Sequence, residues 1–369
     1  MKLLMAKKII ISGGGTGGHV FPAISIANAL MRIDNNIIIH FVGAKGRLEM
    51  VKVPEAGYEI SGLPVAGFER KLSLKNIAVV IKLIKSLGAA RKIIRNYKPD
   101  VVVGVGGYAS GPILRVAGRK GIPTLIQEQN SYAGLTNKLL AKKAKVICVA
   151  YEGMEKYFPE EKILLTGNPV RRDLIKLDRK REEAINYFKI KKNLPVALVM
   201  GGSGGSRTIN ESIARGYEKL VKNGIQVIWQ TGKHYHENLK KNHVASSASL
   251  VHLHGFIDRM DLAYAAADII VSRAGAGTIS ELTIVGKPVI LIPSPSVAED
   301  HQTKNALALV NKNAALILKD NNSVEKLADT IIELTKDNER RRILSDNIMS
   351  LAMKDSDVMI AKAILKLAE

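Results

Sequence analysis

The sequence contains very little cysteine and few aromatic residues. Among its 369 residues are one cysteine, Cys148, one tryptophan and six phenylalanines. A single cysteine excludes an intrachain disulfide and fits a reducing compartment. Scarce aromatic side chains argue against the stacking surfaces that bind single-stranded nucleic acid. Cys148 lies in an apolar run that predicts a buried strand, so we do not expect a catalytic thiol.

Long hydrophobic runs are absent as well. No apolar stretch approaches the ~20 residues that a membrane-spanning helix needs. The first eight residues resemble the beginning of a signal peptide, but lysines interrupt them and they continue into a glycine-rich loop. We therefore interpret them as leading into a first strand, and we expect a cytoplasmic protein.

Negative charge is also in short supply. The chain has 34 acidic residues against 55 lysines and arginines, which gives a net charge of +21. Such an excess favours a polyanionic partner, namely nucleic acid, an anionic membrane or a phosphorylated substrate. No nucleic-acid-binding motif is present. We therefore expect a membrane surface and a phosphorylated substrate, and no nucleic acid.

Short apolar runs alternate with longer helical patterns along the whole chain. This alternation predicts an α/β protein with parallel sheets and helical crossovers on both faces. Six predicted strands precede residue 167 and six follow it, which indicates two doubly wound, Rossmann-like domains. The predicted strands are 8–12, 36–42, 100–105, 122–127, 145–149, 162–166, 195–200, 225–230, 249–253, 268–272, 288–292 and 315–318.

The domain boundary is predicted at a Gly-Asn-Pro break. Residues 1–167 form the first domain, 168–345 the second, and a helical segment at 346–369 is expected to pack back across the boundary. Ligands of open α/β sheets bind outside the carboxyl ends of the strands. Two such domains are therefore expected to face each other across a ligand-binding cleft.

The first glycine turn, residues 12–19, contains five glycines between a strand and a helix predicted at 22–31. Strand, glycine turn and helix together present backbone N–H groups to a phosphate or diphosphate. Gly13, Gly15 and Gly18 also satisfy a dinucleotide-binding pattern, which expects a carboxylate at the end of the next strand. That strand ends at Gly43-Ala44-Lys45, which argues against a dinucleotide. A tight turn without a ligand remains the structural alternative.

Three more glycine turns follow predicted strands. The second covers residues 104–112, the third 201–207 and the fourth 272–278. Four such turns, two in each half, indicate that both domains bind anionic ligands. The spacing G-x-x-x-x-G-K-[ST] does not occur, which excludes a P-loop ATPase or kinase.

Glu281 is the acidic residue of most interest. It lies three residues after Thr278, so the pair is either a capping box or a carboxylate placed to bind a ribose diol. A long polar loop at 293–305 follows a strand end and is expected at the same edge of the sheet.

Residues 68–98 form a basic amphipathic segment. Apolar residues share one face and cations surround it, a pattern that suits a membrane interface. The alternative is a surface helix that packs its apolar face on the core. The apolar residues are Ile77, Val80, Ile81 and Ile84, and the cations are Lys82, Lys85, Arg91, Lys92 and Arg95.

Taken together, these motifs resemble those of the MurG family. The resemblance covers nearly the whole chain in the same order. It rests on Gly14-Gly15-Thr16-Gly17-Gly18-His19, Gly106-Gly107-Tyr108-Ala109-Ser110-Gly111-Pro112, Glu128-Gln129-Asn130, Gly167-Asn168-Pro169-Val170-Arg171, the third glycine turn, and Arg273-Ala274-Gly275-Ala276-Gly277-Thr278 with Glu281.

The resemblance implies a two-domain glycosyltransferase of the GT-B type that needs no cofactor and no metal. The second domain would bind UDP-N-acetylglucosamine, with Glu281 on the ribose and the backbone of Ile257 on the uracil. The remaining donor contacts would come from Arg171, Ser203, Ala276, Gly277, Thr278 and Gln302, and from Thr16, Gly17, Gly18 and Asn130 of the first domain. The acceptor contacts would be Gly14, Gly15, Gly106, Gly107, Tyr108 and Ser110.

This family carries a bulkier residue at the position of Gly277 and a second glutamine at that of His301. The implied reaction is inverting transfer to the 4-hydroxyl of N-acetylmuramic acid in lipid I, on the cytoplasmic side of the inner membrane. The base would be His19 or Glu128, and the residues alone do not decide between them. His19 has a structural alternative as a helix-start residue that bonds its own loop.

Two rival functions remain at this point. A glycolipid synthase that uses a UDP-sugar shares the second-domain motif, although the second glycine turn favours a diphosphate acceptor. A non-catalytic nucleotide-binding module explains the glycines but neither the paired domains nor the basic surface.

Overall fold

A computed structural model of the chain describes residues 6–65, 74–174, 177, 179–242 and 250–369. The chain folds into two compact units. The first unit comprises residues up to Val170 together with Asp355–Glu369, and the second comprises Arg171–Lys354. Each unit contains one parallel sheet of the doubly wound kind. The predicted α/β class is therefore confirmed.

The sheet of the first unit has the strand order β3-β2-β1-β4-β5-β6-β7, with all neighbours parallel. Ile9, Ile10 and Ile11 lie on the strand Lys8–Ser12 inside this sheet, and they are fully buried because helices cover both faces of the sheet. Its elements are β1 Lys8–Ser12, α1 Gly17–Ile33, β2 Ile38–Ala44, α2 Glu49–Glu55, β3 Glu59–Leu63, α3 Leu74–Tyr97, β4 Val101–Gly104, α4 Ser110–Arg119, β5 Thr124–Glu128, α5 Leu135–Ala141, β6 Val146–Val149 and β7 Ile163–Leu165.

The sheet of the second unit has the strand order β10-β9-β8-β11-β12-β13, again parallel. Its elements are α6 Arg181–Phe188, β8 Val196–Met200, α7 Arg207–Lys222, β9 Gln226–Gln230, α8 Lys233–Asn242, β10 Val251–His254, α9 Met260–Ala266, β11 Ile269–Ser272, α10 Ala276–Val285, β12 Val289–Leu291, α11 His301–Val310, β13 Leu316–Ile317, α12 Asp320–Lys336 and α13 Asn338–Ser350.

The last helix, α14 Ser356–Leu367, belongs to the core of the first unit. Ile360, Ala361 and Ile364 are fully buried in the same apolar cluster as residues of α1. The Asp357 carboxylate pairs with the Arg32 guanidinium on α1 at 2.6 Å. Burial of three apolar side chains, together with this ion pair, attaches the chain end to the N-terminal sheet.

All twelve predicted strands are present, with bounds within two residues of those expected. The beginning of the strand predicted at 249–253 lies outside the described residues. Strand β3 was not predicted. Among the described residues it pairs only with β2, and it contains a serine and a glycine, so the apolar signal of a central strand is missing. The predicted helix at 22–31 was too short, since α1 begins five residues earlier, at Gly17.

Candidate active site

A cavity of about 310 Å³ opens in the second unit, where the carboxyl ends of β8, β9 and β11 meet. Its position agrees with the rule for ligand sites in open α/β sheets. Five of the predicted donor residues line it. The lining residues are Arg171, Met200, Gly202, Ser203, Gln230, Phe256, Ile257, Asp258, Met260, Tyr264, Ser272, Thr278 and Glu281.

Three other predicted donor residues belong to the second unit but do not line the cavity. Ala276 and Gly277 are the first two residues of α10, directly before Thr278. Gln302 lies on α11, and its Oε1 accepts a hydrogen bond from the Ser294 N–H at 2.8 Å. That bond attaches the polar loop at 293–305 to α11. Thr16, Gly17, Gly18 and Asn130 belong to the first unit.

The Glu281 carboxylate faces the cavity. The N-cap of α10 is Gly275, so Thr278 already lies within the helix and the capping-box alternative is wrong. Instead, Glu281 Oε2 accepts a hydrogen bond from the Tyr264 hydroxyl at 3.0 Å, and Oε1 accepts one from Arg171 Nε at 3.3 Å. The side chain is 22% exposed. One carboxylate is thus held by two donors and remains accessible to a ligand.

The charge state of Glu281 results from opposing effects. Burial raises the pKa of this carboxyl, whereas the Arg171 guanidinium and the hydrogen bonds from Tyr264 and Arg171 lower it. Burial also raises the pKa of Tyr264 well above its ordinary value, so the hydroxyl stays protonated and can donate a hydrogen bond to Glu281. An ionised carboxylate held in this way accepts hydrogen bonds from ligand hydroxyls.

The third glycine turn leads into α7, whose N-terminus lies beside the cavity. Gly202 and Gly205 have φ values of +85° and +79°, a region that favours glycine. A Cβ on Gly205 would lie 2.0 Å from the Thr231 carbonyl oxygen, so this turn packs directly on the end of β9. Ser206 caps α7 by accepting a hydrogen bond from Ile209 N. The first-turn amides of this 16-residue helix therefore form a positive end suited to a phosphate.

Arg273 connects the third and fourth glycine turns. Its guanidinium donates to Ser206 Oγ at 2.6 Å and to the carbonyl oxygens of Ile292 and Pro293, and it pairs with Asp320. Five donors in a planar fork make such a junction possible. Sequence reasoning had assigned this arginine only to a motif, because its partners come from distant parts of the chain.

In the first unit, a buried carboxylate lies beneath the first glycine turn. Glu49 is fully buried, and its two oxygens accept hydrogen bonds from the Gly15 and Ala44 N–H groups, each at 2.8 Å. A Cβ on Gly14 would lie 2.1 Å from Glu49 Oε1. The Gly15 N–H, which was predicted to face the acceptor, therefore donates its hydrogen bond to a protein carboxylate. Sequence reasoning missed Glu49 because it lies on α2, beyond the strand end where a carboxylate was sought.

The remaining glycines of this turn begin α1. Thr16 is the N-cap, and the His19 and Val20 N–H groups donate to its carbonyl oxygen at 3.1 Å. Amides in the first turn of an α-helix have no partner within the helix. The Gly17 and Gly18 amides at the beginning of this 17-residue helix are thus placed to bind an anion.

His19 lies in the first turn of α1, and its ring packs against the second glycine turn. Its Nδ1 lies 3.1 Å from Gln129 Oε1, and a Cβ on Gly106 would lie only 2.6 Å from the same nitrogen. Burial lowers the pKa of His19; the charges of Glu128 and Glu49 and hydrogen bonds to Gln129 and to the Val105 backbone oppose this shift. The backbone of His19 bonds its own loop at Thr16, whereas its side chain bonds Gln129, which follows β5.

The second glycine turn packs on the first. Gly106 and Gly107 have φ values of +97° and +86°, and a Cβ on Gly107 would lie 2.3 Å from the Gly14 carbonyl oxygen. The Ser110 hydroxyl is buried within hydrogen-bond distance of the Ser12 and Gly106 carbonyl oxygens. Ser110 thus joins the two turns, whereas the Tyr108 side chain is 57% exposed.

Glu128, the second predicted base, organises a loop. It is 2% exposed, and its carboxylate accepts hydrogen bonds from the backbone N–H groups of Asn130 and Gly134 and from the side-chain amides of Asn130 and Asn137. Four donors occupy its lone pairs. Between the two candidates, the geometry therefore favours His19 as the residue that takes up a proton.

Within the described ranges, no helix is long and apolar enough to cross a bilayer. In that same part of the chain, no group of three or more histidine, cysteine or acidic residues is placed to hold a metal ion.

Two parallel-sheet α/β units, each with glycine turns at the carboxyl ends of its strands, are the architecture of the GT-B glycosyltransferases. In agreement, the N-terminal domain of glycosyltransferase family 28 matches residues 9–149, and the C-terminal domain of that family matches residues 196–358.

Individual relatives define the family more closely. A Phocaeicola vulgatus protein is 58% identical over 98% of this chain and 96% of its own length, and a Bacteroides fragilis protein is 55% identical over 99% and 96%. Both are named UDP-N-acetylglucosamine–N-acetylmuramyl-(pentapeptide) pyrophosphoryl-undecaprenol N-acetylglucosamine transferase. The crystal structure of Acinetobacter baumannii MurG is 27% identical, with a TM-score of 0.80 over 98% of this chain and 99% of that one. The chain belongs to the MurG family of glycosyltransferases.

Proposed function

We propose that this protein transfers N-acetylglucosamine from UDP-N-acetylglucosamine to the 4-hydroxyl of N-acetylmuramic acid in lipid I, which yields lipid II and UDP. The observation that carries the proposal is the 58% identity, over 98% of the chain, to a relative whose name describes this transfer. Neither rival function, a glycolipid synthase or a non-catalytic nucleotide-binding module, accounts for so high an identity to a relative of this name.

The donor site is assigned to the cavity of the second unit. The Glu281 carboxylate accepts hydrogen bonds from the ribose hydroxyls, and the Ile257 backbone contacts the uracil beside Phe256, whose ring is 44% exposed. The N-termini of α7 and α10 face the diphosphate, where charge develops as UDP departs. Supporting contacts within this unit come from Arg171, Ser203, Ala276, Gly277, Thr278 and Gln302. Donor contacts by Thr16, Gly17, Gly18 and Asn130 of the first unit stay a prediction from the family resemblance.

The acceptor site is assigned to the first unit. The Gly17 and Gly18 amides at the positive end of α1 bind the acceptor diphosphate, and the exposed Tyr108 side chain contacts the acceptor beside Gly106 and Gly107. Gly14, Gly15 and Ser110 contribute by shaping the paired glycine turns, since Gly15 N–H and the Ser110 hydroxyl already have protein partners.

Chemistry at the acceptor hydroxyl is assigned to His19. A neutral imidazole accepts the proton of the 4-hydroxyl as that oxygen attacks the anomeric carbon of the donor, and the bond to the UDP oxygen breaks on the opposite face. The lowered pKa of His19 keeps the ring neutral, and thus basic, near pH 7. Attack from the opposite face inverts the anomeric centre and gives a β-1,4 linkage.

Docking to an anionic membrane is assigned to α3 and α5 of the first unit. On α3, Ile81 and Ile84 are 49% and 64% exposed, and the buried face is formed instead by Ser86, Ala90 and Ile94. Helix α3 thus packs one apolar face on the core, as the alternative expects, but Ile81 and Ile84 lie outside that face. The cations Lys82, Lys85, Arg91, Lys92 and Arg95 are also exposed.

Helix α5 adds a second exposed apolar pair. Leu135 and Leu139 are 64% and 72% exposed, Lys138 lies on the same short helix, and Lys142 is its C-cap. Both α3 and α5 pack against α4. Apolar side chains beside cations suit the headgroup region of an anionic leaflet, and this supports a peripheral location on the cytoplasmic side of the inner membrane. Residues 68–73, and the side chains of Ile77 and Val80, lie outside the described part of the chain.

The reaction is tested by measuring UDP release from UDP-N-acetylglucosamine with and without a lipid I analogue. We expect release only with the analogue. Release with diacylglycerol instead would favour the glycolipid synthase, and binding of UDP without turnover on either acceptor would favour the nucleotide-binding module.

Membrane docking is tested by sedimentation with vesicles. We expect the protein to pellet with vesicles of anionic lipid and to remain in solution with vesicles of zwitterionic lipid alone. Equal pelleting with both kinds of vesicle would contradict the assignment. Leu139→Glu is expected to weaken pelleting without changing UDP affinity.

A further inference from the structure

Gln129 lies between a backbone carbonyl and the ring of His19. It follows β5 directly and is 4% exposed. Its Nε2 donates to the Val105 carbonyl oxygen at 3.0 Å, and its Oε1 lies 3.1 Å from His19 Nδ1. The nitrogen end of the amide therefore bonds a backbone carbonyl oxygen, and the oxygen end bonds a ring nitrogen.

These two contacts determine which way the amide points. A carbonyl oxygen only accepts hydrogen bonds, so the NH₂ end of Gln129 must face Val105 and the oxygen must face His19. An amide oxygen also only accepts, so His19 Nδ1 must carry the proton in this contact. In a neutral imidazole the other nitrogen, Nε2, then carries the lone pair.

We propose that Gln129 is a positioning residue that holds neutral His19 as the tautomer protonated on Nδ1 and so leaves Nε2 as the basic atom. The inference rests on the proposed function, in which His19 takes the proton of the acceptor hydroxyl. It adds the residue that orients this base and the ring atom that performs the step.

The surroundings restrict both partners. The Gln129 carbonyl oxygen accepts a hydrogen bond from Asn168 Nδ2 at 3.0 Å, and Asn168 Oδ1 in turn accepts one from Gln127 Nε2 at 2.7 Å. The His19 ring lies so close to Gly106 that a side chain there would overlap it. Gln129 is thus fixed at its backbone and at its amide, and His19 has little room to turn.

The first test compares two substitutions of Gln129. Gln129→Met keeps the length of the side chain but removes both hydrogen bonds, and we expect kcat to fall about 10- to 100-fold with KM for the donor nearly unchanged. Gln129→Glu retains an acceptor for Nδ1, so we expect it to recover part of kcat. Its negative charge raises the pKa of His19, so the acid limb of the kcat/KM profile moves to higher pH.

Gln127→Met is the matched control. Gln127 is also a buried glutamine near the end of β5, but it bonds Asn168 and has no bond to His19. Gln127→Met removes a bond to Asn168 but leaves both contacts of the Gln129 amide in place, so we expect it to keep the wild-type pH profile even where it lowers stability. A wild-type kcat and pH profile in Gln129→Met would contradict the proposal, and so would equal shifts in the Gln127 and Gln129 variants.

A second measurement needs no substitution of Gln129. In wild-type protein labelled with ¹⁵N-histidine, the His19 signals are assigned by their loss in His19→Gln. Above the pKa of His19, we expect Nδ1 to carry a directly bonded proton and Nε2 to show the shift of an unprotonated ring nitrogen. The opposite assignment, or rapid averaging of the two nitrogens, would overturn the proposal.

The two tests separate this inference from the function on which it rests. If the ring nitrogens are assigned as expected but His19→Gln retains full turnover, the tautomer assignment is correct and the role of His19 as base is wrong. If His19→Gln abolishes turnover while Nε2 carries the proton, the base role stands and the role of Gln129 is wrong.

Discussion

Two carboxylates beside two glycine turns serve different purposes in this protein. Glu49 in the first unit is fully buried, and backbone amides occupy both of its oxygens. Glu281 in the second unit is 22% exposed, faces a cavity and is held by side chains. A carboxylate beside a glycine turn thus stabilises a loop in one unit and faces an open cavity in the other.

This contrast extends to the chemistry of each unit. With its carboxylate committed to the loop, the first unit offers His19 as the titratable group beside its glycine turns. The second unit offers an ionised acceptor and helix N-termini. We therefore expect changes in the first unit to affect turnover and changes in the second unit to affect donor affinity.

The largest effect is expected from His19→Gln. Removal of a general base lowers kcat by about 10²- to 10⁴-fold, whereas KM for the donor should remain close to wild type. Steady-state kinetics over a range of donor concentrations give both values. A large rise in KM for the donor with an unchanged kcat would reverse the assignment of the two units.

The next effect is expected from Glu281→Gln. Loss of hydrogen bonds to a charged group costs about 1.5–3 kcal/mol, which corresponds to about 10- to 150-fold weaker UDP binding by calorimetry. Asp258→Asn, which neutralises another carboxylate at the same cavity, is the matched control and should change UDP affinity much less. Equal losses in the two variants would indicate a general charge effect in place of a ribose contact.

Glu49→Gln tests the other side of the comparison. The amide of a glutamine accepts only through its oxygen, so one of the two backbone N–H groups loses its partner, at a cost of about 1–3 kcal/mol. We expect the backbone around Gly15 and Ala44 to exchange amide hydrogens about 5- to 150-fold faster by mass spectrometry. Glu55→Gln, on the exposed face of α2, is the control. Loss of UDP affinity in Glu49→Gln would contradict the assignment of Glu49 to loop stability alone.

Tyr264→Phe should produce a smaller effect. The ring stays buried while Glu281 loses one donor, so UDP affinity should fall about 5-fold, the equivalent of about 1 kcal/mol. The affinity for 2′-deoxy-UDP should fall less, because that ligand lacks a ribose hydroxyl for Glu281 to bind. Met200→Leu removes the thioether 3.9 Å from the same hydroxyl and should leave both affinities unchanged. Equal losses for the two ligands would show that Tyr264 only supports the cavity.

The last effect is confined to acidic pH. Burial raises the pKa of Glu281, with Arg171 opposing the shift. Binding of ribose hydroxyls needs the ionised form, so UDP affinity should weaken as pH falls through this pKa, at a higher pH than for an ordinary glutamate. In Glu281→Gln the same acid limb should be absent. An identical acid limb in both proteins would assign it to another group.

Much of this architecture could be predicted from local patterns. Continuous apolar runs predicted all the central strands, because a parallel strand covered on both faces must be apolar throughout. Strand β3 was not predicted, because an edge strand needs only one apolar face and therefore lacks a continuous apolar run. The beginning of α1 was missed because glycine is a poor helix former. In the structure, Thr16 is the N-cap and the helix starts at Gly17.

The site was less predictable than the fold. Motif positions identified Glu281, but its orientation depends on Tyr264, a lone hydroxyl in an alanine-rich helix that pattern reasoning assigns to the core. Glu49 reaches the first glycine turn from the next helix, and Gln129 meets His19 across 110 positions in the chain. Such contacts arise from the packing of distant segments, so no local pattern reveals them.

The most direct test of the account is the stereochemistry of the product. Purified protein is incubated with UDP-N-acetylglucosamine and a lipid I analogue, and the new linkage is analysed by NMR. We predict a β-linked N-acetylglucosamine on the 4-hydroxyl of N-acetylmuramic acid, with one UDP released for each linkage formed. An α linkage, transfer to another hydroxyl, or UDP release without a glycosylated product would contradict the account.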